Sequence, residues 1–444
     1  MSDRRLSPVA VAAIAIGVVL LLSAAGWLIF KGNPNLLRDV SFQHESISPN
    51  ADGETDVTTI SYELTSNADI SIFFENVNGE RFYFRQDEPR GVGEYQVHFS
   101  GVVDGYSLPG ETIEGEILTR LLQNGDYTWT ISAVDSSGKI EESSGFLAIR
   151  NADEQLPEMR NFTLDKNVFS PNQDGIDDRV QIQFFLPKEV VQTRVFVETT
   201  EGSQLPVAEV ERGVEIGAIG RHYFDYEAGV DNKATPPPDG TYAIIAIAED
   251  AEGQKIRVED KLEIQFGGVP RAEIISPVIG DTVDWSATAV SICDTIFFTL
   301  TVQNYGTTPL RTSGPEPGTI YDSGWNYNTL GWHTESGAWR VGIGFENELS
   351  NYPYRWAIGG IDDLEKIGEH YYLMPGQRAV ISGGIRVVGP FGNRNPQPVW
   401  AGLIHEDVEI SQFNNRVDPH EILVDMPDED NLEKCEPREI PRFD

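Results

Sequence analysis

The sequence predicts an all-β protein that begins with one transmembrane helix and continues as tandem β-sandwich domains. Three observations support this fold class. A nine-residue turn motif occurs twice, at 48–56 and 170–178, and alternating apolar and polar residues follow each copy. Residues 8–30 carry no charged side chain. Beyond that segment, no long stretch keeps the periodicity of an amphipathic helix.

The N-terminal segment 8–30 predicts a membrane anchor. A helix of this length is about 35 Å long, and the apolar core of a bilayer is ~30 Å thick. Two arginines precede the segment, so the positive-inside rule places residues 1–7 in the cytoplasm and the remainder outside. A cleaved signal peptide is the alternative, because small residues at 23–25 offer a cleavage position. The apolar run continues past that position, which favours the anchor, and both alternatives export the domains.

Both copies of the turn motif predict a tight turn that leads into a strand. In the shared pattern Ser-Pro-Asn-x-Asp-Gly, proline restricts φ, asparagine and aspartate hydrogen-bond to the nearby backbone, and glycine accepts a positive φ. The residues that follow alternate as a half-buried strand requires. The apolar positions are Ile60, Tyr62 and Leu64 after the first copy, and Val180, Ile182, Phe184 and Leu186 after the second.

A second shared stretch, made of a turn, a strand and another turn, lies at 124–138 and again at 239–253. Motifs that recur in the same order predict two copies of one domain. We place domain 1 at 40–150 and domain 2 at 160–267. The first copy holds more residues between its motifs, and we expect the glycine-rich, acidic segment 101–119 to form the extra loop.

The order of these motifs resembles the Ig-like domain of the flagellar hook-capping family and related β-sandwich modules at the C-termini of secreted bacterial surface proteins. The resemblance covers 40–150 and 160–267. It departs from that family at 99–101 and 224–226, where the family often carries Trp-(Asp/Asn)-Gly. The resemblance implies tandem Ig-like sandwiches in an extracytoplasmic setting. It does not imply a flagellar role, since such modules serve many proteins.

The third region, 272–425, lacks the turn motif and is predicted to be a larger β-sandwich. Its Thr-Val-x-Asn-x-Gly stretch at 301–306 and its Leu-x-Pro-Gly-Gln stretch at 373–377 resemble the CARDB-type Ig-like modules of prokaryotic surface proteins. Between them, residues 312–370 are expected to form an insertion into the sandwich. Residues 426–444 are predicted to be an acidic tail.

The chain is strongly acidic, with 70 acidic and 33 basic residues and a formal net charge of −37. Such a surface repels nucleic acids and attracts divalent cations. Nucleic acid is therefore excluded as a partner. A well-solvated surface on a soluble domain accounts for the same charge.

Calcium is the one cofactor that the sequence suggests. The candidate ligands are Asn172, Asp174, Asp177 and Asp178 in the second motif, and Asn50, Asp52 and Asp56 in the first. Oxygen ligands at this spacing around a glycine suit a hard cation. Neither copy is an EF-hand loop, which needs a glutamate at its twelfth position. The alternative is that these residues only build the turn, and the second copy is the better candidate for a metal site.

Aromatic residues are concentrated in the segment 312–370. Trp325, Trp332, Trp339 and Trp356 lie there, interleaved with tyrosines. Exposed tryptophans could stack on the apolar faces of sugar rings, which makes them candidate ligand-binding residues. The alternative is that a long insertion needs large side chains to pack onto the sandwich.

Cys293 and Cys435 are the two cysteines of the chain. In an exported protein an even number of cysteines suggests a disulfide, which here would tie the tail to the third domain.

Nothing in the sequence favours catalysis. The histidines are scattered, and the motifs of metallohydrolases, serine hydrolases and P-loop enzymes do not occur. The densest polar cluster on a probable strand, 405–407, is expected at a rim. We therefore expect a protein that is not an enzyme.

The sequence thus predicts a single-pass cell-membrane protein with its bulk outside the cytoplasm, whose Ig-like spacers present a larger β-sandwich. Its role would be structural or adhesive, through contact with other surface proteins. The alternative is a carbohydrate-binding surface protein that uses the tryptophan-rich segment. A hydrolase in the third region is the least favoured reading.

Overall fold

The computed structural model describes residues 16–19, 35–230, 234–346, 351–389, 394–410, 413–425 and 435–440. Apart from a helical stretch at 16–19 and the 3-10 helix Ile361–Asp363, its regular elements are β-strands. The predicted all-β class is confirmed.

The membrane anchor predicted at 8–30 lies outside the described residues except for 16–19. Within the part of the chain that the structure describes, no helix combines the length and the apolar character needed to cross a bilayer. Most of the predicted acidic tail is likewise outside the described residues, which include only 435–440 of it.

The first sandwich encloses its own apolar core, formed by side chains between Leu36 and Ile149. Its strands are β1 (Leu37–Phe42), β2 (Ser46–Ile47), β3 (Thr58–Leu64), β4 (Ala68–Asn76), β5 (Arg81–Arg90), β6 (Gly93–Phe99), β7 (Val102–Asp104), β8 (Glu116–Leu121), β9 (Gly125–Asp135) and β10 (Ile140–Ile149). One sheet has the order β1-β3-β6 and the other β2-β10-β9-β4-β5. In β3 every second residue is buried, as the alternation predicts.

The second sandwich repeats this topology around a core between Leu156 and Ile264. Its strands are β11 (Arg160–Leu164), β12 (Val168–Phe169), β13 (Val180–Leu186), β14 (Gln192–Glu198), β15 (Gln204–Glu209), β16 (Gly220–Tyr226), β17 (Gly240–Glu249) and β18 (Lys255–Ile264). The order β11-β13-β16 matches β1-β3-β6, and β12 pairs in parallel with β18 as β2 does with β10. The sequence repeat is therefore a repeat of the fold.

The segment 101–119, expected to be a surface loop, instead contains β7 and most of β8. Strand β8 pairs antiparallel with β18 of the second sandwich, where Ile117 lies opposite Ile256. It thereby covers part of an edge that would otherwise present unpaired backbone groups. The extra residues of domain 1 extend the sheet of domain 2.

A buried polar cluster completes this first junction. The ammonium group of Lys188 lies 2.9 Å from carboxylate oxygens of both Asp153 and Asp250 and 3.1 Å from Glu252. The buried Gln254 accepts a hydrogen bond from the Leu121 amide, at 3.2 Å, and donates to backbone carbonyls of the linker. Side chains of domain 2 and the linker therefore bond one another and the backbone of domain 1.

The third sandwich has the largest core, formed between Ala272 and Val424. Its strands are β19 (Ala272–Ile275), β20 (Asp284–Trp285), β21 (Ala289–Ser291), β22 (Thr295–Asn304), β23 (Leu310–Thr312), β24 (Ile320–Asp322), β25 (Trp339–Phe345), β26 (Tyr354–Ala357), β27 (Glu365–Ile367), β28 (His370–Leu373), β29 (Arg378–Arg386), β30 (Gln397–His405), β31 (Glu409–Ile410) and β32 (Val417–Asp425). The two sheets have the orders β19-β22-β29-β24 and β21-β32-β30-β25-β23-β28-β27.

The expectation that residues 312–370 form an insertion is wrong. Strand β25 lies inside the second sheet, between β30 and β23, and all seven of its residues are buried. Strand β24 from the same segment pairs in parallel with β29. The segment resembled an insertion because its strands are short and separated by long turns, yet it supplies the centre of the domain.

Candidate functional site at the junction of domains 2 and 3

The loop at 170–178 is closed by its own hydrogen bonds. Asp178 accepts backbone N–H bonds from Gln173 and Gly175, both at 2.6 Å, and from Asn172 at 3.2 Å. Asp174 accepts the Ile176 amide at 2.8 Å. Gln173, Gly175 and Asp177 have positive φ angles of 58°, 81° and 53°. The carboxylates therefore fix an alternating left-handed turn.

The loop at 48–56 has the same conformation. Asp56 accepts backbone bonds from Gly53 at 2.7 Å and Asn50 at 3.3 Å, and Asp52 accepts the Glu54 amide at 2.8 Å. The φ angles of Ala51, Gly53 and Thr55 are 57°, 86° and 60°. Apart from the bond from the Gln173 amide to Asp178, the two loops share one hydrogen-bonding scheme.

The two loops differ in what covers them. The first is exposed from Ala51 to Thr55, whereas Asn172 and Asp174 of the second are only 2% and 5% exposed. Domain 3 covers the second loop, so this loop is a contact between domains. The sequence could not reveal this, because both copies have the same turn chemistry.

Three side chains of domain 3 hold the second loop. Arg311 donates from Nε to the carbonyl of Asp174 at 2.6 Å, and Tyr372 donates its hydroxyl to the Asp174 carboxylate at 3.4 Å. The Nε2 atom of His405 lies 2.7 Å from the carbonyl of Gln173, an acceptor, so this nitrogen carries the proton. We call Arg311, Tyr372 and His405 the socket.

Further buried groups pack against the socket inside domain 3. The imidazole of His405 stacks on Trp339 with ring centroids 4.3 Å apart. The neighbouring Glu406 is 3% exposed and accepts hydrogen bonds from Arg340 and Arg355. The expected rim position of 405–407 is therefore wrong for His405 and Glu406. His405 is buried because it bonds the loop of domain 2, and Glu406 because it pairs with Arg340 and Arg355 inside domain 3.

Burial shifts the protonation of groups on both sides of the contact. Burial and the nearby Asp174 carboxylate raise the pKa of Asp178 to about 6. Burial also raises the pKa of Asp174 above its usual value. Desolvation lowers the pKa of His405 to about 4, which keeps the imidazole neutral at physiological pH.

We expect the contribution of His405 to stability to be lost in acid. Its pKa in the folded chain lies below the ordinary 6.5, so between these values the unfolded chain binds a proton that the folded chain does not. Stabilisation is complete above pH 6.5 and disappears as the pH falls through about 4, a change of up to about 3 kcal/mol.

The raised pKa of Asp178 acts in the opposite sense, with stability lost as the pH rises through about 6. The informative quantity is therefore the difference in unfolding free energy between wild type and His405→Gln, measured by urea unfolding at about pH 7, 5 and 4. We expect the advantage of the wild type to shrink as the pH falls. An advantage that is independent of pH would contradict this role for His405.

Of the predicted metal ligands, the structure brings Asn172, Asp174 and Asp178 together and turns Asp177 away. Asp177 pairs with Lys166 at 2.9 Å on the surface. The first copy likewise brings together Asn50, Asp52 and Asp56. In both loops the oxygens that calcium would use already accept backbone N–H bonds.

A different group of potential metal ligands lies at the edge of domain 3. Ligand atoms of Asp281, Asp418 and His420 lie within 4.8 Å of one another. Among the described residues, this is the one group of three or more histidine, cysteine, aspartate or glutamate side chains close enough to share a metal ion. No local motif in the sequence marks this group, because Asp281 is distant in sequence from Asp418 and His420.

The four candidate ligand-binding tryptophans do not form one surface. Trp339 and Trp356 are 3% and 0% exposed, and Trp356 donates its indole N–H to the Thr319 carbonyl at 3.0 Å. Neither can stack on a sugar, so this part of the prediction is wrong. Trp325 and Trp332 are half-buried and pack against the core from outside.

Replacing Trp356 with alanine is expected to destabilise domain 3 by about 3–5 kcal/mol, because a fully buried indole leaves a cavity. Trp332→Ala is expected to cost less, since part of that ring already contacts solvent. Calorimetry of the two variants checks this order. Equal losses would mean that Trp332 is also a core residue.

The two cysteines form a disulfide in the structure, with Cα atoms 5.3 Å apart. It joins Cys293, two residues past the end of β21, to Cys435 at the start of the segment 435–440. Beside it, Arg386 donates to the carbonyl of Glu436 at 3.0 Å. The end of the chain is thereby held against domain 3.

No family model matches the chain, and no curated protein matches it in sequence. The resemblances to hook-capping and CARDB-type modules therefore rest on the motifs alone.

Solved structures give slight similarities. One is a tetra-tandem repeat from the extending region of a large adhesion protein, with 12% identity, 88% of this chain and 75% of that chain covered, and a TM-score of 0.21. Another is a Ca²⁺-stabilized adhesin with which an Antarctic bacterium binds ice, with 12% identity, 84% and 83% covered, and a TM-score of 0.22.

A third is the Bacteroides ovatus protein SGBP-B in complex with a mixed-linkage heptasaccharide, with 11% identity, 89% and 72% covered, and a TM-score of 0.14. At these TM-scores, none of the three similarities indicates a function for this chain.

Proposed function

We propose that the protein is a membrane-anchored, extracytoplasmic structural or adhesive protein, and not an enzyme. Its two N-terminal domains, taken as Ig-like spacers, hold the larger C-terminal sandwich in a fixed position for contact with other surface proteins. The observation that supports this best is the construction of both domain junctions from buried groups.

At the first junction a strand of domain 1 joins the sheet of domain 2. At the second, the 170–178 loop is seated in the socket of domain 3. Domains that act independently are usually separated by flexible, polar linkers with few contacts across them. Junctions of this kind instead suit a protein whose domains keep a fixed relative orientation or transmit mechanical force.

The buried polar groups of domain 3 also fit a structural role. Arg311, Glu406 and His405 are each saturated by partners within the chain. A catalytic group would need to face a substrate, and its carboxylates would converge in an open cleft. Of the residues at 405–407, His405 instead bonds the 170–178 loop, and Glu406 pairs with two arginines inside domain 3.

The test of the proposal is an attachment assay. Cells that carry the full chain, cells without it and cells whose chain ends before domain 3 are compared for adherence to one another. We expect adherence to require domain 3, and externally added protease to cleave the domains on intact cells. Adherence that is the same in all three strains, or domains that resist external protease until the membrane is opened, would refute the proposal. Adherence abolished by a soluble neutral glycan would favour the carbohydrate-binding alternative.

Within this proposal, the two motif loops act as turns that hold their shape without calcium. The carboxylates of Asp178 and Asp56 already accept the backbone N–H bonds that close each loop, so the turns are complete without an added cation. We expect millimolar calcium or a chelator to leave the melting temperature of the protein unchanged. A rise in melting temperature with calcium that Asp178→Asn abolishes would instead establish the second loop as a calcium site.

A further inference from the structure

Domain 3 has an open cleft that the proposed function has not used. It has a volume of about 680 Å³ and lies between the segments 312–316, 330–332 and 357–371. This volume is typical of sites that bind a ligand or part of a peptide. The cleft is formed by the tryptophan-rich segment, but with different residues from those that the sequence suggested.

The cleft combines aromatic rings with carboxylates. Trp332, Tyr371 and Leu364 line it, and all three are half-buried, so each has a face available. Glu316 and Glu369 lie on its exposed rim. Among the lining residues of the described chain, His370 is the one basic residue, and the ammonium of Lys366 approaches the cleft at the Tyr371 ring.

Within the described part of the chain, neither rim carboxylate has a counter-ion. Among the described residues, neither the Glu316 nor the Glu369 side chain takes part in a hydrogen bond or an ion pair, unlike Glu335 beside them, which pairs with Arg311. Two carboxylates without a partner among the described residues therefore lie at the mouth of an aromatic cleft.

This charge pattern selects the ligand. An anion would meet repulsion from the rim, in a chain whose net charge is already −37. A neutral sugar could donate hydroxyl hydrogen bonds to the two carboxylates, but it would leave their charges unneutralised beside the aromatic cleft. A cation that is flat on one side would satisfy both the carboxylates and the ring faces.

The same domain already uses this pairing internally. The guanidinium of Arg355 lies 4.2 Å from the centre of the Tyr327 ring, while it also pairs with Glu406. The ammonium of Lys366 lies 5.6 Å from the centre of the Tyr371 ring at the cleft. Aromatic rings and carboxylates therefore hold cationic side chains both inside and on the surface of domain 3.

We propose that this cleft binds an arginine side chain presented by an extended segment of a partner protein. The guanidinium stacks on Trp332 and hydrogen-bonds to Glu316 or Glu369, which a planar group with several N–H donors can do at once. The inference rests on the proposed role as an interaction protein and names the chemistry of its partner.

The test uses the full-length protein in a non-ionic detergent and a fluorescent glycine peptide that carries one arginine. A matched peptide carries citrulline, the neutral isostere of arginine. We expect Glu316→Gln/Glu369→Gln and Trp332→Ala each to weaken binding of the arginine peptide by about tenfold or more. Trp332→Phe, which keeps an aromatic face, is expected to retain most of the affinity.

A charge-matched control separates the cleft from the general acidity of the chain. Glu142→Gln/Glu201→Gln removes two exposed carboxylates from domains 1 and 2 and should change affinity by less than about twofold. The proposal is overturned if this control weakens binding as much as the cleft variant, or if the citrulline peptide binds equally well. Binding of a neutral oligosaccharide that depends on Trp332, without binding of the arginine peptide, overturns it in favour of a glycan site.

The attachment assay shows whether the proposed function fails or only the cleft proposal. If adherence never depends on the chain, the proposed function itself fails. If adherence requires domain 3 but survives Glu316→Gln/Glu369→Gln, the scaffold role stands and the cleft proposal alone falls.

Discussion

Replacing Glu406 with glutamine is expected to destabilise domain 3 by about 3–5 kcal/mol. Glu406 is 3% exposed and lies between Arg340, which is fully buried, and Arg355. Its oxygens accept bonds from Arg340 at 3.1 Å and from Arg355 at 2.6 and 2.7 Å. Without this charge, two guanidinium groups lie together in the interior, and the more weakly interacting Glu335 is the remaining carboxylate that opposes the pKa shift of Arg340.

The reason for so large an effect is the solvation of Arg340. Burial already lowers the pKa of Arg340, and the Glu406 carboxylate is the nearest charge that opposes this shift. Glutamine keeps the size of the side chain but offers one neutral acceptor and two N–H donors that face other donors. Both electrostatic attraction and hydrogen bonding are therefore lost at once.

The matched control is Glu421→Gln. Glu421 pairs with Arg394 at 3.4 Å, but its side chain is 61% exposed. A solvent-screened pair of this kind contributes less than about 1 kcal/mol. Calorimetric unfolding of both variants measures the difference, and similar transition temperatures for Glu406→Gln and wild type would show that water reaches the Arg340 site.

Sequence reasoning predicted the parts of this molecule that depend on local chemistry. The alternation in β3 and β13 and the turn residues of the two loops follow from neighbours along the chain. These elements appear where the pattern places them, because periodicity and turn conformation are properties of short segments.

The parts that failed depend on contacts between distant residues. Trp332 and Trp339 lie in one stretch of sequence, yet one borders a cleft and the other is in the core. The loops at 48–56 and 170–178 are equivalent in sequence and conformation, yet only the second meets the socket. Nothing local distinguishes the members of either pair, since burial is decided by where domain 3 packs.

Replacing Gly337 with alanine is expected to open the contact between domains 2 and 3. Gly337 has a φ of 79°, and a Cβ atom there would overlap the backbone of Asp174 and Gly175 at the centre of the contact. The atoms that the Cβ would overlap belong to the backbone, so no side-chain rotation can relieve the clash. We expect the 170–178 loop to leave the socket, with loss of the bonds from Arg311 and His405.

The control for this variant lies six residues earlier in the same segment. Gly331 has a φ of 86°, and a Cβ atom there would meet no atom within 4 Å. Both substitutions place alanine in a left-handed conformation, at a similar cost of about 1 kcal/mol, so any difference between them reports the clash with domain 2. The measurement is limited proteolysis of the linker around 267–270, together with the distance between spin labels in domains 2 and 3.

We expect Gly337→Ala to be cleaved rapidly at the linker and to give a broad distance distribution, whereas Gly331→Ala should resemble the wild type. Arg311 and His405 each bond one particular carbonyl of the loop, at Asp174 and Gln173. A displaced loop therefore loses both bonds. If both variants keep a single narrow distance, domains 2 and 3 are held by something other than the seated loop. If wild type itself gives a broad distribution, the fixed geometry on which the scaffold role depends is refuted.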